Sequence, residues 1–328
     1  MKAAHYLILI LMVAYTIAAY TVFRSRSREA RERLFLRQDW LLLGIHFLAY
    51  LTMYLKTLNT ELLLFYAAQL IYFLFVLLLF RNLYPRISKG LLNNMCLLVM
   101  TGFVMITRLS YDESVRQFRF ACIGTVIALI VPVIIRKLHL LTKMTWAYAF
   151  VGIGLLGLVM VASRSVNGAK LTLTVGGFAF QPSEFVKIIF VFAVAGLLAG
   201  EHSLKRIITA TVLAAVHVGI LVISTDLGSA LIFFVTYLVM LFVATRNPFL
   251  VSIGVLAGAA AAVAAYFLFS HVRVRVQIWK DPFADYAGSG YQICQSLFSI
   301  AAGGWLGTGL YRGSPGAIPY VEEDFMFS

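Results

Sequence analysis

The chain has 328 residues, of which 61% are hydrophobic and 12% charged; a soluble domain carries about 25% charged side chains. Its formal net charge is +13, with the basic residues clustered between long apolar runs, as suits anionic lipid headgroups and membrane orientation and not a nucleic-acid surface. The apolar runs are continuous, so the alternation of a transmembrane β-barrel is excluded as well.

Ten apolar runs follow one another, at about 4–23, 40–55, 62–80, 91–107, 118–135, 145–162, 184–200, 207–224, 228–245 and 249–270. Most are long enough to cross a hydrocarbon core of about 30 Å as a helix; the second is short and is expected to tilt or to extend into its flanks. The first run lacks a convincing cleavage site and leads straight into an arginine-rich segment, so it reads as a retained span and not a signal peptide. The expected fold is an all-α polytopic membrane protein with about ten transmembrane helices and no soluble domain between them.

The connections alternate in charge. Segment 24–39 holds Arg24, Arg26, Arg28, Arg31, Arg33 and Arg37, and every second connection after it is basic too. Fifteen Lys and Arg fall on that side and seven on the other. The positive-inside rule then puts the N-terminus outside and segment 24–39, expected to be a loop, in the cytoplasm. Everything from His271 onward becomes extracytoplasmic. That outer segment, 271–323, is expected to be a long loop, and long ordered loops tend to be functional. It is rich in glycine interleaved with Tyr291, Phe298, Trp305 and Tyr311, and its stretch Tyr291 to Ala302 is patterned as an interfacial helix.

Cys96, Cys122 and Cys294 have no metal-ligand spacing, two of them fall inside spans, and the six histidines form no HxxxH pair. Neither a disulfide framework nor a zinc site is expected. Four motifs carry possible chemistry. In Gln181-Pro182-Ser183-Glu184 the proline suits the first helical position, and Glu184 then meets the positive end of the helix dipole. Lys187, three residues on, shares its face and can pair with it inside the membrane, as part of a site or as a structural ion pair. Asp226 opens the ninth span, as an N-cap or lining a site. His271-Val272-Arg273-Val274-Arg275-Val276, if extended, puts Arg273 and Arg275 on one face; paired guanidiniums suit a diphosphate, although a basic interfacial anchor is equally open. Asp324 follows Glu322 and Glu323, and repulsion or burial would raise its pKa toward that of a useful base, unless it merely caps the next helix. By the charge rule all four motifs face outward beside the membrane, which points to a lipid-linked, phosphorylated substrate.

From about Asn93 onward the chain resembles the SEDS family of bacterial cell-wall polymerases, which includes FtsW, RodA and SpoVE. The resemblance is carried by Asn167-Gly168-Ala169, Phe180-Gln181-Pro182-Ser183-Glu184 with Lys187, and Asp226-Leu227-Gly228-Ser229-Ala230. It continues through Asp281-Pro282, Gly288-Ser289-Gly290-Tyr291-Gln292, Gln295-Ser296, Gly303-Gly304, Gly307-Thr308-Gly309 and Asp324-Phe325-Met326-Phe327. Lys170-Leu171-Thr172 departs from the family's usual Arg-Trp-Ile-like stretch, and Arg108-Leu109 ends the first core helix where small residues are usual. The domains expected are a three-span extension at 1–90 and a glycosyltransferase core at 91–328. That core is expected to be incomplete, lacking about two and a half helices and an acidic stretch.

The resemblance implies a peptidoglycan glycosyltransferase that polymerises lipid II at the outer face of the bacterial cytoplasmic membrane, in division, elongation or sporulation. It implies Asp324 as general base, and a substrate site that includes Glu184, Lys187, Asp226, Arg273, Arg275, Gln292, Gln295 and Ser296. A divalent cation, Mg or Mn, could assist at the diphosphate, without a dedicated metal site in the protein. The implied partner is a class B penicillin-binding protein, a transpeptidase, alongside membrane lipids and with no nucleic acid. Two rival functions are a lipid II flippase and a non-catalytic scaffold for the transpeptidase.

Overall fold

The computed structural model describes residues 2–137, 144–162, 173–175, 178–200 and 203–313. In chain order these form α1 Lys2–Arg24, α2 Arg28–Thr57, α3 Glu61–Leu83, α4 Lys89–Leu109, α5 Tyr111–Lys137 and α6 Thr145–Ala162. Strands β1 Leu173–Val175 and β2 Phe178–Phe180 follow, then α7 Pro182–Leu198, α8 Leu204–Ile223, α9 Leu227–Thr245, α10 Pro248–Leu268 and α11 Ser270–Lys280. A 3₁₀ turn, Pro282–Asp285, leads to α12 Tyr291–Gly303. Asn167-Gly168-Ala169, Arg164, Lys170 and the segment holding Glu322, Glu323 and Asp324 lie outside the described residues.

The first ten helices follow the ten expected spans in order. Among the described residues, α1, α3, α4, α5, α8, α9 and α10 are each long and apolar enough to cross a membrane. Two expectations are corrected. Segment 24–39 is mostly not a loop: α2 begins at Arg28, with Ser27 as N-cap accepting from the Ala30 N–H. Arginine is a good helix former, so the basic segment extends the second span by three turns. The connection after α4 shrinks to Ser110, because α5 starts at Tyr111 and takes Arg116 and Arg119 into its first turns. The all-α fold class holds among the described residues, with one short antiparallel hairpin, Leu173 opposite Phe180, as a local addition.

The described chain packs as two units, 1–132 with 281–328, and 133–280. In the first unit, α2 packs against α1, α3 and α4. Tyr15, Leu42, Phe73, Leu92, Cys96, Met100 and Phe103 share one buried cluster. The helices that precede the family-like region therefore share a core with α4, the first helix within it. Several polar groups beside this core are paired. The Arg81 guanidinium donates to both Asp39 carboxylate oxygens at 2.7 and 2.8 Å and to Asn93 Oδ1 at 2.8 Å. Asn93 Nδ2 in turn donates to Gln38 Oε1 at 3.1 Å and to Asp39 Oδ1 at 2.9 Å.

In the second unit, α6–α9 enclose a core around Val186, Phe190, Ala193, Val194, Ala214 and Phe233. Without a hydrophobic drive between helices inside lipid, small residues at contacts decide how closely backbones approach. Gly196 does this for α7 against α6: a Cβ there would come within 2.1 Å of Thr145 Oγ1. This contact fixes α7, and with it Glu184 and Lys187 in its first turns.

Candidate functional site

Helix α7 starts as its sequence dictates. Gln181 is the extended N-cap residue, Pro182 takes the first helical position, and Glu184 stands in the first turn. Lys187 Nζ donates to Glu184 Oε1 at 2.7 Å. The Glu184 side chain is 56% exposed and that of Lys187 26%, so among the described residues protein does not enclose the pair. An open carboxylate and a partly covered ammonium at a helix entrance can meet a ligand. In Asp226 one carboxylate oxygen caps α9, accepting from the Ser229 N–H at 3.0 Å. The other oxygen, Oδ2, is buried with no hydrogen-bond partner among the described residues. Capping and availability for a ligand thus coexist on one side chain.

Arg273 and Arg275 do not share a face. The stretch expected to be extended is helix α11, in which residues two apart point about 200° from each other. Valine alternation favoured a strand locally, yet the segment continues helically within two residues of the end of α10. A two-fork clamp built by these two arginines alone is therefore ruled out, and each can act only by itself.

Gln292, Gln295 and Ser296 stand on α12, and the preceding turn decides their placement. Asp281 Oδ1 accepts from the Phe283 and Ala284 N–H groups at 3.0 and 3.2 Å. Asp285 Oδ2 accepts from the Ser289 N–H at 2.8 Å and the Ser289 hydroxyl at 2.7 Å. Cys294 Sγ then donates to the Pro282 carbonyl at 3.2 Å, and Gln295 Nε2 donates to the Tyr286 hydroxyl at 3.1 Å. Ser296 is buried and Gln292 half-buried. The motif Asp281-Pro282…Gly288-Ser289-Gly290 is thus a folded bracket that sets the start of α12. Asp285 and Tyr286 were not among the residues expected at the site. Asp285 stood out only as a carboxylate followed by Gly288 and Ser289, a pattern common in any turn.

Two expected results follow from the bracket. At Gly290 a Cβ would lie 2.0 Å from the Pro282 carbonyl oxygen, a backbone atom that cannot swing aside. Gly290→Ala should therefore displace α12, and increased proteolysis between 281 and 291 reports the displacement. An alanine variant with the wild-type cleavage pattern would show the bracket to be soft. Secondly, the Ser289 hydroxyl and N–H bonds hold the Asp285 carboxyl below its usual range. A depressed folded value means the bracket is supported above the ordinary carboxylate range and weakened as pH falls through the lowered one. The protection factor of the Ser289 amide, its exchange referred to the intrinsic rate at each pH, should fall at acid pH, and Asp285→Asn should flatten that dependence.

These elements can be compared with known proteins. The family model described as cell cycle protein, FtsW/RodA/SpoVE, matches residues 88–328. The chain belongs to the FtsW/RodA/SpoVE family. It is 35% identical over 282 residues to "Peptidoglycan glycosyltransferase RodA" of Mycobacterium tuberculosis, covering 76% of this chain and 59% of that protein. It is 30% identical over 255 residues to "Probable peptidoglycan glycosyltransferase FtsW" of Pseudoalteromonas translucida, covering 73% of this chain and 64% of that one. The chain therefore spans about 59–64% of the length of these relatives. A solved structure described as "Structural coordination of polymerization and crosslinking by a peptidoglycan synthase complex" superposes with a TM-score of 0.56 at 26% identity, over 68% of this chain and 67% of that one. All the candidate site residues fall within the family match.

Proposed function

We propose that the protein, in its full length, is a peptidoglycan glycosyltransferase that joins lipid-linked disaccharides, the class of substrate represented by lipid II. The observation that carries this reading is the family match from residue 88 to 328, together with relatives named for that activity. The site's chemistry supports it. A sugar hydroxyl of the acceptor attacks the anomeric carbon of the donor, and an undecaprenyl diphosphate leaves. Asp324 takes the proton of the attacking hydroxyl as general base. Lys187, Arg273 and Arg275, each acting singly, are candidate cations for the departing diphosphate. Among the described residues no three His, Cys, Asp or Glu side chains meet to hold a metal. A Mg or Mn ion, if one assists, would take diphosphate oxygens among its ligands.

The proposed site lies on the outer face of the cytoplasmic membrane, as the charge asymmetry of the connections supports. The proposed partner is a class B penicillin-binding protein, in keeping with the polymerisation and crosslinking that the superposed structure's description couples. The test uses the full-length protein in proteoliposomes with that partner and fluorescent lipid II. Glycan strands on a gel are the expected product. Lipid II that crosses the bilayer without polymerising would replace this reading with that of a flippase.

A further inference from the structure

A concavity of about 590 Å³ opens between the end of α1 and the start of α2, lined by Thr21, Arg24, Ser25, Arg33, Leu34 and Arg37 among others. Its volume falls in the range of small-ligand sites, about 300–1,000 Å³. Three of its lining residues are arginines and none is a carboxylate. Glu29, one turn before Arg33, makes no ion pair with it, and Glu32 is engaged by Lys89. Among the described residues Arg24, Arg33 and Arg37 have no ion pair of their own. Because α2 begins at Arg28, Arg33 and Arg37 stand one turn apart on the same face, about 40° from each other. Arg31 points about 200° away from Arg33 on the same helix. The six arginines of this segment therefore divide into three that line one concavity and three, Arg26, Arg28 and Arg31, that do not.

We propose that this concavity is a binding site for an anionic phospholipid carrying two phosphodiesters, with cardiolipin as its representative. Three guanidiniums exceed the charge of one phosphodiester by two and that of a pair by only one. Each fork can hold two phosphate oxygens at once. Leu34 and Thr21 offer apolar and hydroxyl surface beside the charges, as a headgroup joined to acyl chains requires. The position also suits a lipid, because the site sits at the ends of two packed helices, of which α1 is a span candidate. Basic pockets between helices on the cytoplasmic side are where such headgroups bind. A zwitterionic lipid satisfies its phosphate with its own ammonium and gains less.

Native mass spectrometry of the purified full-length protein, after delipidation and addition of defined lipids, tests this. Arg24→Gln/Arg33→Gln/Arg37→Gln should lose retained cardiolipin, by roughly fivefold per arginine and on the order of a hundredfold for the three. Arg26→Gln/Arg28→Gln/Arg31→Gln removes the same charge from the same segment and should retain it within about twofold of wild type. Both variants should melt as wild type does, since all six side chains are exposed. Equal loss in the two triples would reduce the effect to bulk charge and overturn the site. Equal retention of phosphatidylcholine, or displacement of cardiolipin by millimolar inorganic phosphate, would overturn the choice of ligand.

Discussion

Asp324→Asn in the full-length protein, assayed with lipid II and the partner transpeptidase, should slow glycan synthesis by about 10²–10⁴-fold, the usual loss when a general base is removed. Asparagine keeps the shape of aspartate and caps a helix equally well; it cannot accept the proton of the attacking hydroxyl. The substitution thus separates base from cap. Protein level and melting temperature should match wild type, and the loss should sit in kcat. Strand synthesis at the wild-type rate would make Asp324 a cap. Asp226, whose second carboxylate oxygen is buried and unpaired among the described residues, would then be the next carboxylate to replace.

The second large effect is on stability. The Arg81 and Asp39 side chains are only 20% and 14% exposed, and Arg81 holds α3 to α2 and, through Asn93, to α4. Asp39→Ala leaves the guanidinium enclosed with a single neutral partner, at an expected cost of about 3–5 kcal/mol. Asp39→Leu combined with Arg81→Met leaves no stranded charge and should cost far less than the sum of the single changes. Thermal unfolding in detergent of the four proteins of this cycle measures the coupling. Additive losses would mean that water already screens the pair.

What the sequence disclosed follows from the range of the forces involved. Spans were legible because each buries its own backbone hydrogen bonds and needs only a long apolar run. The Glu184–Lys187 pair and the Asp226 cap were legible because both depend on spacings of three residues within or beside one helix. The start of α2 was misplaced because the expected boundary followed hydrophobicity, whereas the helix follows Ser27 and the helix propensity of arginine. In 271–276 a six-residue alternation gave a period of two, and helical continuation after α10 won. The Gln295–Tyr286 bond could not be foreseen. It exists only once the bracket at Asp281–Gly290 has folded α12 back, and such closure leaves no period in the sequence.

The ion pair between α2 and α3 has a consequence for how the protein is made. Asp39 leaves the ribosome forty-two residues ahead of Arg81, and the two turns before it carry Arg33 and Arg37. Of the first four helices, α2 alone falls outside the span candidates recognised by length and composition. An unpaired carboxylate within it resists transfer into lipid. Insertion of α2 should therefore wait at the translocon until α3 emerges with its arginine, so that the two helices enter the bilayer together as a hairpin. Assembly of this region would then be a concerted event, timed by translation across the α2–α3 interval and not by the hydrophobicity of α2.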